Sequence, residues 1–463
     1  MKALLIIFIT GIFSLFTALF SKQKQLVTSI VLLGIVTALI SISLEWNNPT
    51  FEFVNMMRFD HYYFSFAAVI LLATLLIALF SGHEFRSLVD TIGDNYGLIL
   101  FSLCGALLML SFENLMMLFL GIEILSIPLY VLAGSRKNDL ASNEAALKYF
   151  LMGSFATGIL LFGIALVFGA TGKFTVDGLI DYVHLMNGSY STLFTVGILL
   201  MMIGLSFKVS AAPFHFWSPD VYHGSPNLIT TYMSTVVKAA GFAAFFKLFA
   251  VAFGEAEGVW SCTLAAISAL TMIIGNVTAL YQTNFKRLMA YSSIAHAGYL
   301  ILGLLGLKQI SSGAILIYLL AYSLATIVAF GVFMLVYEKY NENANIETFN
   351  GLAKSNPFLA FVMTVALFSL AGIPPAAGFF GKYFLFTQAF DHYAWLVVVA
   401  ILMSAVSIAY YFKIIIAMYF KQSDDSVSIS IPITYSMVFV VAVLLIFGIS
   451  LNPELILNIV QMQ

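Results

Sequence analysis

The chain has 463 residues, of which 61% are hydrophobic and only 9% are charged, whereas about 25% are charged in an ordinary soluble domain. This composition excludes a soluble protein and indicates an integral membrane protein. The formal net charge of −2 gives no indication of a nucleic-acid partner. Cys104 and Cys262 lie in separate apolar runs with no second Cys or His at metal-ligand spacing, so no disulfide framework, zinc site or iron–sulfur cluster is predicted.

Apolar runs long enough to cross a bilayer follow one another along the whole chain. A helix rises about 1.5 Å per residue, so roughly 20 apolar residues span the hydrocarbon core. We interpret the first run as a retained helix, because it is longer than a signal-peptide core and lacks a convincing cleavage site. An all-α polytopic fold of fourteen spans is predicted, at residues 3–20, 26–44, 60–81, 95–112, 114–134, 145–169, 191–217, 227–252, 260–280, 288–306, 311–337, 357–390, 394–420 and 431–451.

The basic residues of the loops predict the orientation. Cytoplasmic loops carry the excess of Lys and Arg, and an even number of spans places both termini on one side. The loops that follow odd-numbered spans hold Lys22, Lys24, Arg86, Arg136, Lys137, Lys286, Arg287, Lys339, Lys354 and Lys421, and the opposite side holds Lys2, Arg58, Lys173 and Lys308. We therefore expect a multi-pass inner (plasma) membrane protein with both termini on the non-cytoplasmic side. The longest loops, near 170–190 and 339–356, are too short for a soluble domain, so residues 1–463 are predicted to form one membrane domain.

Four ionisable residues lie well inside the spans: Glu123, Lys208, Lys238 and Lys382. A charge at a helix centre costs roughly 2.5 to 3.5 kcal/mol on insertion scales, so such residues normally face the bundle interior and mark a conduction path. The alternative is that they pair only to hold helices together, or that the lysines reach the interface with their long side chains. For Lys247, near a span end, and for Lys413 both interpretations remain open.

Two spans are interrupted by proline beside these charges. Pro213 follows Lys208 by five residues, and Pro374 and Pro375 precede Lys382. A proline removes a backbone donor and frees carbonyl groups, and irregular backbone at membrane depth is tolerated only within protein or beside water. Broken helices that flank an ionisable group are typical of transporters. Because one lysine precedes its break and the other follows it, the sequence alone does not establish an internal repeat.

Three segments carry a family resemblance: GLSFKVSAAPFHFWSPDVYHGSP from residue 204, NFKRLMAYSSIAHAGYL from residue 284 and LAGIPPAAGFFGKYFLF from residue 370. Together they resemble the antiporter-like subunits of respiratory complex I, the NADH–quinone oxidoreductase. The lysine of the twelfth span and the short C-terminal end resemble the smallest of the three sister subunits, the subunit N group. The resemblance covers nearly the whole chain.

The resemblance implies a fold of fourteen transmembrane helices with two inverted five-helix units. The first three helices occupy residues 1–94, the two units occupy 95–252 and 260–420, and the last helix and tail occupy 431–463. Helices 7 and 12 are broken. Glu123 matches a family glutamate that pairs with the lysine matching Lys208. Lys238 matches the lysine that links the two half-channels, and Lys382 matches the lysine from which the proton leaves.

Further polar positions also resemble the family's pattern: Lys148 in NEAALKYF, His215 in PFHFW and Tyr291 in LMAYSS, with His296 as a relay of the middle axis. Each histidine is equally compatible with a hydrogen-bonded core imidazole. Desolvation favours the neutral form of a lysine and a nearby carboxylate favours its charged form. Movement of Glu123 relative to Lys208 would therefore switch the lysine between holding and releasing a proton, and the next transfer would use water or the hydroxyls of Ser234 and Thr235.

The resemblance implies a proton-translocating membrane subunit of an NADH–quinone oxidoreductase. The sequence contains no dinucleotide fingerprint, phosphate loop or cysteine cluster, so no cofactor is expected in this chain. Flavin, iron–sulfur clusters and quinone are expected in partner subunits of the membrane arm and beyond it. Two alternatives remain open: a subunit of a cation/proton antiporter and a subunit of a membrane-bound hydrogenase-type complex. Both would retain the lysines.

Overall fold

The computed structural model describes residues 1–20, 24–47, 51–84, 92–306, 311–422 and 428–457. Lys22, Arg86 and Lys308, which contributed to the loop charges above, lie outside the described residues. The helices are α1 (Lys2–Phe20), α2 (Lys24–Glu45), α3 (His61–Glu84), α4 (Ile92–Ser111), α5 (Leu115–Ala133), α6 (Leu140–Thr171), α7 (Val176–Met186), α8 (Thr192–Lys208), α9 (Trp217–Gly224), α10 (Asn227–Tyr232), α11 (Lys238–Phe246), α12 (Glu257–Leu280), α13 (Phe285–Leu304), α14 (Ser311–Lys339), α15 (Leu352–Ser355), α16 (Pro357–Ala371), α17 (Ala377–Phe420), α18 (Ile433–Leu451) and α19 (Glu454–Leu457).

The predicted all-α membrane fold is confirmed. Within the described ranges, eleven helices are long and apolar enough to cross a membrane. The fourteen predicted spans fall on helical backbone, apart from one interruption in the seventh and one in the twelfth. Helix α17 covers the end of the twelfth span and all of the thirteenth, which are separated by a kink at Tyr393, where φ is −130° and ψ is 42°.

The helices differ in how much of their surface is covered by the rest of the chain. Helix α14 is 94% buried over its apolar window, whereas α6 is 33% buried and α1 28%. A helix that is apolar all round lies in the middle of a bundle or in lipid. Helix α14 therefore forms the centre of the bundle, and α1 and α6 turn broad apolar faces away from the described chain.

Two elements occur where the sequence predicts only loops. Strands β1 (Phe51–Phe53) and β2 (Met57–Phe59) form an antiparallel hairpin, and α7 lies in the loop near 170–190. Both are too short to cross a bilayer and contain charged residues, so they carry no signal of a membrane span. The hairpin and α7 lie at the same end of the bundle, because Met57 pairs with Phe112 and Asn114 pairs with Thr175. We call this end the hairpin end and the other the opposite end.

A backbone feature of the hairpin end recurs elsewhere in the chain. Leu115 N donates to Phe174 O over 2.9 Å and Phe285 N donates to Ala344 O over 2.8 Å. The isolated bridges beside them join residues 114 and 175 in one case and 284 and 345 in the other. Residues 114 and 284 lie 170 positions apart, as do 175 and 345. Helices α5 and α13 therefore begin in the same way, which the sequence alone did not reveal.

The two interruptions also share a backbone pattern, with a separation of 162 positions. Ala211 N donates to Ser206 O over 2.8 Å, and Ile373 N donates to Phe368 O over 2.9 Å. Ser210 and Gly372 both have positive φ, 62° and 80°. These are the hydrogen bonds of a helix that ends in a left-handed residue. The breaks in the seventh and twelfth spans are therefore equivalent structures.

Candidate functional site

The first half of the seventh span ends at Lys208, the last residue of α8. The side chain is buried, and its ammonium group donates a hydrogen bond of 2.6 Å to Ser126 Oγ on α5. The backbone then leaves the helix, and the Phe207 carbonyl accepts both the Ser210 N–H over 3.0 Å and the Trp217 indole N–H over 3.1 Å. The break is thus closed by a side chain of α9, and Lys208 reaches sideways to another helix.

Glu123 lies three residues before Ser126 on α5 and is only partly buried. Within the described chain its carboxylate has no cation within 4.0 Å. The direct pair of Glu123 with Lys208 that the resemblance implies is therefore absent from this conformation. On α5 the hydroxyl of Ser126, three residues further along on the same face, reaches the ammonium group instead. Glu123 lies near enough to act by charge after a small movement.

Lys238 begins α11 directly after a π-helical segment, Met233–Val237. Such segments occur frequently at functional sites. The buried ammonium group donates to both the carbonyl and the hydroxyl of Ser293 on α13, the latter over 2.5 Å. It also lies 5.6 Å from the centre of the Tyr322 ring. Lys238 therefore connects the eighth span to the tenth and eleventh.

The hydroxyls expected between the first two lysines point elsewhere. Ser234 Oγ and Thr235 Oγ1 both donate to Thr231 O in their own helix, over 2.9 and 2.7 Å. A closer link is steric, because a Cβ placed on Gly241 would lie 3.9 Å from the Lys208 side chain. Lys208 therefore packs against the helix that carries Lys238, one turn beyond it.

A chain of hydrogen bonds continues beyond Lys238. Ser292, next to Ser293, shares a 2.5 Å hydrogen bond with the Tyr411 hydroxyl, which also lies 3.1 Å from His296 Nε2. His296 Nδ1 is 2.5 Å from the Tyr318 hydroxyl. His296 is buried. The predicted relay position of His296 is thus occupied by an imidazole with a partner on each nitrogen, which is the geometry of a proton relay as well as of a core histidine.

Lys382 lies in α17, just after the second break. Its ammonium group donates to Ala371 O over 2.9 Å and to Ser404 Oγ over 2.8 Å. It also lies 4.9 Å from the centre of the Tyr299 ring, a favourable cation–π distance. Gly372 allows this position, since a Cβ there would be 2.8 Å from Lys382 Cδ. The lysine therefore caps the carbonyl end of α16.

Lys148 and His215 lie at the opposite end. Lys148 is partly exposed and forms 2.6 Å ion pairs with Glu144 and with Asp220 of α9. Asp220 also binds Arg287 over 2.8 Å, so it joins α6, α9 and α13. His215 is buried, and its Nδ1 has no partner in the described chain. Lys148 is thus held in a surface ion-pair network, whereas His215 has an open hydrogen-bonding position.

Tyr291 is partly buried on α13, and no hydrogen bond joins its hydroxyl to the described residues. The structure therefore does not bring it into the line formed by the lysines and His296. Metal ligation finds no support either: in the described ranges, no group of three or more His, Cys, Asp or Glu side chains could hold a metal ion.

Residues 112–408, more than half of the chain, match the family described as NADH:quinone oxidoreductase/Mrp antiporter, TM. The chain belongs to this family. The NADH-quinone oxidoreductase subunit N of Cytophaga hutchinsonii is similar to this chain. It is 43% identical over 462 residues, which cover 99% of both chains.

Solved structures agree with this family assignment. A chain of respiratory complex I from Thermus thermophilus is 34% identical, with a TM-score of 0.83 over 98% of both chains. A chain of the archaeal membrane-bound sulfane sulfur reductase is 26% identical, with a TM-score of 0.87 over 99% of this chain and 96% of that one. The resemblance inferred from the three sequence motifs is confirmed.

Sequence reasoning missed several partners of the predicted residues. Ser126 and Ser293 hold lysines, and Tyr318 and Tyr411 hold His296. Serine and tyrosine are common throughout this antiporter-type chain, with 22 tyrosines in all, so composition could not single them out. The 170-position separation offers a signal in retrospect, because it relates Glu123 to Ser293 and Ser126 to His296.

A second missed feature is an ion pair at the hairpin end. Lys247, which the sequence left between two interpretations, is buried and pairs with Glu113 over 3.0 Å. Its ammonium group is therefore enclosed by the chain and neutralised by a carboxylate. Of the two cysteines, Cys104 is buried and Cys262 is exposed.

Proposed function

We propose that this chain is the proton-translocating membrane subunit of an NADH–quinone oxidoreductase and that Lys208, Lys238 and Lys382 carry the protons. The observation that supports this is the kind of partner these lysines have. Each ammonium group is buried and is held by hydroxyl or carbonyl oxygens, with no carboxylate within 4.0 Å in the described chain. A buried cation without a counter-ion is costly. Such lysines are suited to give up a proton.

Proton uptake takes place at the opposite end, which the loop charges place on the cytoplasmic side. His215 lies between this end and Lys208, and its unpartnered Nδ1 can accept a proton or a water molecule. Asp220, held by Lys148 and Arg287, fixes α9 over this region. Uptake then loads Lys208, and movement of Glu123 toward the ammonium group would favour its charged form.

Transfer through the middle of the bundle uses Lys238. Its contact with Ser293 lies beside the Ser292–Tyr411 hydrogen bond, and Tyr411 in turn contacts His296. Hydroxyls and imidazoles can both donate and accept protons, so this line can relay a proton between the two broken spans. We assign supporting roles to Tyr291, which precedes Ser292 on α13, and to Lys148, which pairs with Asp220.

Release takes place from Lys382, toward the hairpin end. The proposed arrangement thus has an uptake half in residues 95–252 and a release half in residues 260–420, with both termini on the non-cytoplasmic side of the inner membrane. The redox chemistry belongs to partner subunits, which hold the flavin, iron–sulfur clusters and quinone. Their effect reaches this chain through contacts within the membrane arm.

The test replaces Lys208 by Met, which keeps the length of the side chain and removes its charge. In membrane vesicles, we expect Lys208→Met to assemble into the complex and to abolish most NADH-driven proton uptake. The matched control is Lys137→Met, an exposed lysine outside the line, which should pump normally. Normal pumping by the Lys208→Met complex would refute the proposal. Sodium-dependent proton exchange without NADH oxidation would instead indicate an antiporter.

A further inference from the structure

A buried ion pair at the hairpin end has no role in the pathway above. Glu113 and Lys247 pair over 3.0 Å, and their side chains are only 4% and 8% exposed. The Lys247 ammonium group also lies 5.0 Å from the centre of the Phe112 ring. Breaking a buried pair by removing one partner is strongly destabilising, because a charge is left without compensation. A buried pair at the end of a span therefore indicates that both charges have a role there.

The pair is the inner end of a line of alternating charges that reaches the surface. Arg58 of β2 lies 3.6 Å from Glu113 and forms further pairs with Glu52 over 2.6 Å and with Asp177 over 3.5 Å. Burial lowers the pKa of Arg58, but the hydrogen bond to Glu52 and the charges of Glu113 and Asp177 raise it above its usual value. Arg58 therefore joins the buried pair to the surface carboxylates beneath the hairpin.

Lys247 lies in the same span as Lys238, nine residues further along. At roughly 1.5 Å per residue, the two lysines are about 13 Å apart along the helix. Every residue between them, 239–246, is buried and apolar, and five of the eight are Ala or Gly. The segment is closely packed, so water would reach Lys238 from this side only if the charged layer beyond it opened. The charged pair is thus the last barrier between Lys238 and the hairpin end.

The equivalent region of the second unit is built differently. The 170-position separation that relates α5 to α13 places Thr283 where the first unit has Glu113. Near it, Lys413 is exposed, donates to Gln282 O over 2.9 Å, and borders a cleft of about 310 Å³ that is lined in part by Thr283. The second unit thus has an open cleft beside Thr283, whereas the first unit has a buried ion pair at the equivalent Glu113.

From these observations we infer that the Glu113–Lys247 pair is a seal, which closes the hairpin end of the first unit so that Lys238 exchanges protons only along the line between Lys208 and Lys382. The inference rests on the proposed proton pathway. Without the seal, water could enter the small-residue segment and protons could return from the hairpin end to Lys238. Directional transport requires that this short route stays shut.

The test measures passive proton leak, which needs no NADH. Purified complex is placed in liposomes, a pH gradient is imposed, and its decay is followed with a pH-sensitive dye. We expect Glu113→Gln to speed the decay several-fold, because Lys247 is left as an unpaired buried charge that draws in water. The control is Glu342→Gln, which breaks the exposed ion pair with Arg136 at the opposite end and should leave the decay unchanged.

The conservative variant Glu113→Asp, which keeps a carboxylate between Lys247 and Arg58, should retain a slow decay. A decay in the assembled Glu113→Gln complex equal to that of the control would overturn the inference. That result would not alter the expected loss of pumping in the Lys208→Met complex, so the two proposals can fail separately.

A second measurement uses the intact pair, in case the single variant does not assemble. Ala244→Cys places a thiol in the segment between the lysines, in a chain whose exposed Cys262 is replaced by Ser. We expect this thiol to resist a small water-soluble thiol reagent. Rapid modification of Ala244→Cys with the pair intact would show that the segment is already hydrated and would overturn the inference.

Discussion

The break between α8 and α9 and the break between α16 and α17 have the same backbone but use their lysines differently. Ser210 and Gly372 take the same left-handed conformation, 162 positions apart. Lys208 precedes its break and reaches Ser126 on another helix. Lys382 follows its break and turns back to the carbonyl of Ala371, at the end of the helix before it.

The comparison shows which of the two lysines also stabilises the backbone of its break. At the second break the lysine supplies a donor to a freed carbonyl, so Lys382 has a structural partner in addition to Ser404. At the first break the Trp217 indole serves this purpose. Lys208 is therefore free of the backbone and depends on a single side chain of α5. A lysine with one neutral partner near a carboxylate is the easier one to switch.

The largest difference between the breaks is expected when the serine partners are removed. Ser126→Ala leaves the Lys208 ammonium group without a hydrogen-bond partner in the described chain, at a cost of about 1 to 3 kcal/mol for a buried donor. Ser404→Ala leaves Lys382 its bond to Ala371 O. We expect Ser126→Ala to lose most NADH-driven proton uptake in vesicles and Ser404→Ala to retain most of it. Equal losses would show that the two lysines are held in equivalent ways.

Much of this arrangement follows from the sequence. The spans, both breaks and the four intramembrane charges are visible because apolar runs, prolines and isolated charges are strong local signals. The partner of Lys208 was not visible, because Glu123 and Ser126 share one face of α5 and the sequence does not show which of them contacts the ammonium group. The pair of Glu113 and Lys247 was hidden for another reason, since its members are 134 positions apart in the chain.

A smaller difference is expected from the left-handed residues of the two breaks. Gly372→Ala forces an L-residue into a conformation that costs about 1 to 2 kcal/mol, and its Cβ would press on Lys382. Ser210→Gly, at the equivalent position, removes such a cost. We expect Gly372→Ala to lower the temperature at which the purified complex loses activity and to slow pumping, and Ser210→Gly to do neither. Tolerance of Gly372→Ala would mean that Lys382 is not held tightly against its break.

The smallest effect concerns the residues that follow the breaks. Asp220 and Lys382 are also 162 positions apart, so the equivalent position carries a carboxylate in one span and an ammonium group in the other. Asp220 is 36% exposed in its side chain, and exposed ion pairs contribute only about 0 to 1 kcal/mol. We therefore expect Asp220→Asn to assemble normally and to pump somewhat more slowly, because α9 loses its charged links to Lys148 and Arg287.

The dependence of pumping on salt separates this role of Asp220 from a general loss of surface charge. Salt screens exposed pairs, so high salt should slow the wild-type complex toward the rate of Asp220→Asn and should change the variant less. Glu144→Gln is the control, because Glu144 contacts Lys148 but does not join α9 to α13. If Glu144→Gln slows pumping as much as Asp220→Asn, Asp220 has no specific role in pumping. Asp220 and Lys382 would then be equivalent in backbone position only, and a functional charge would follow the proline only at the second break.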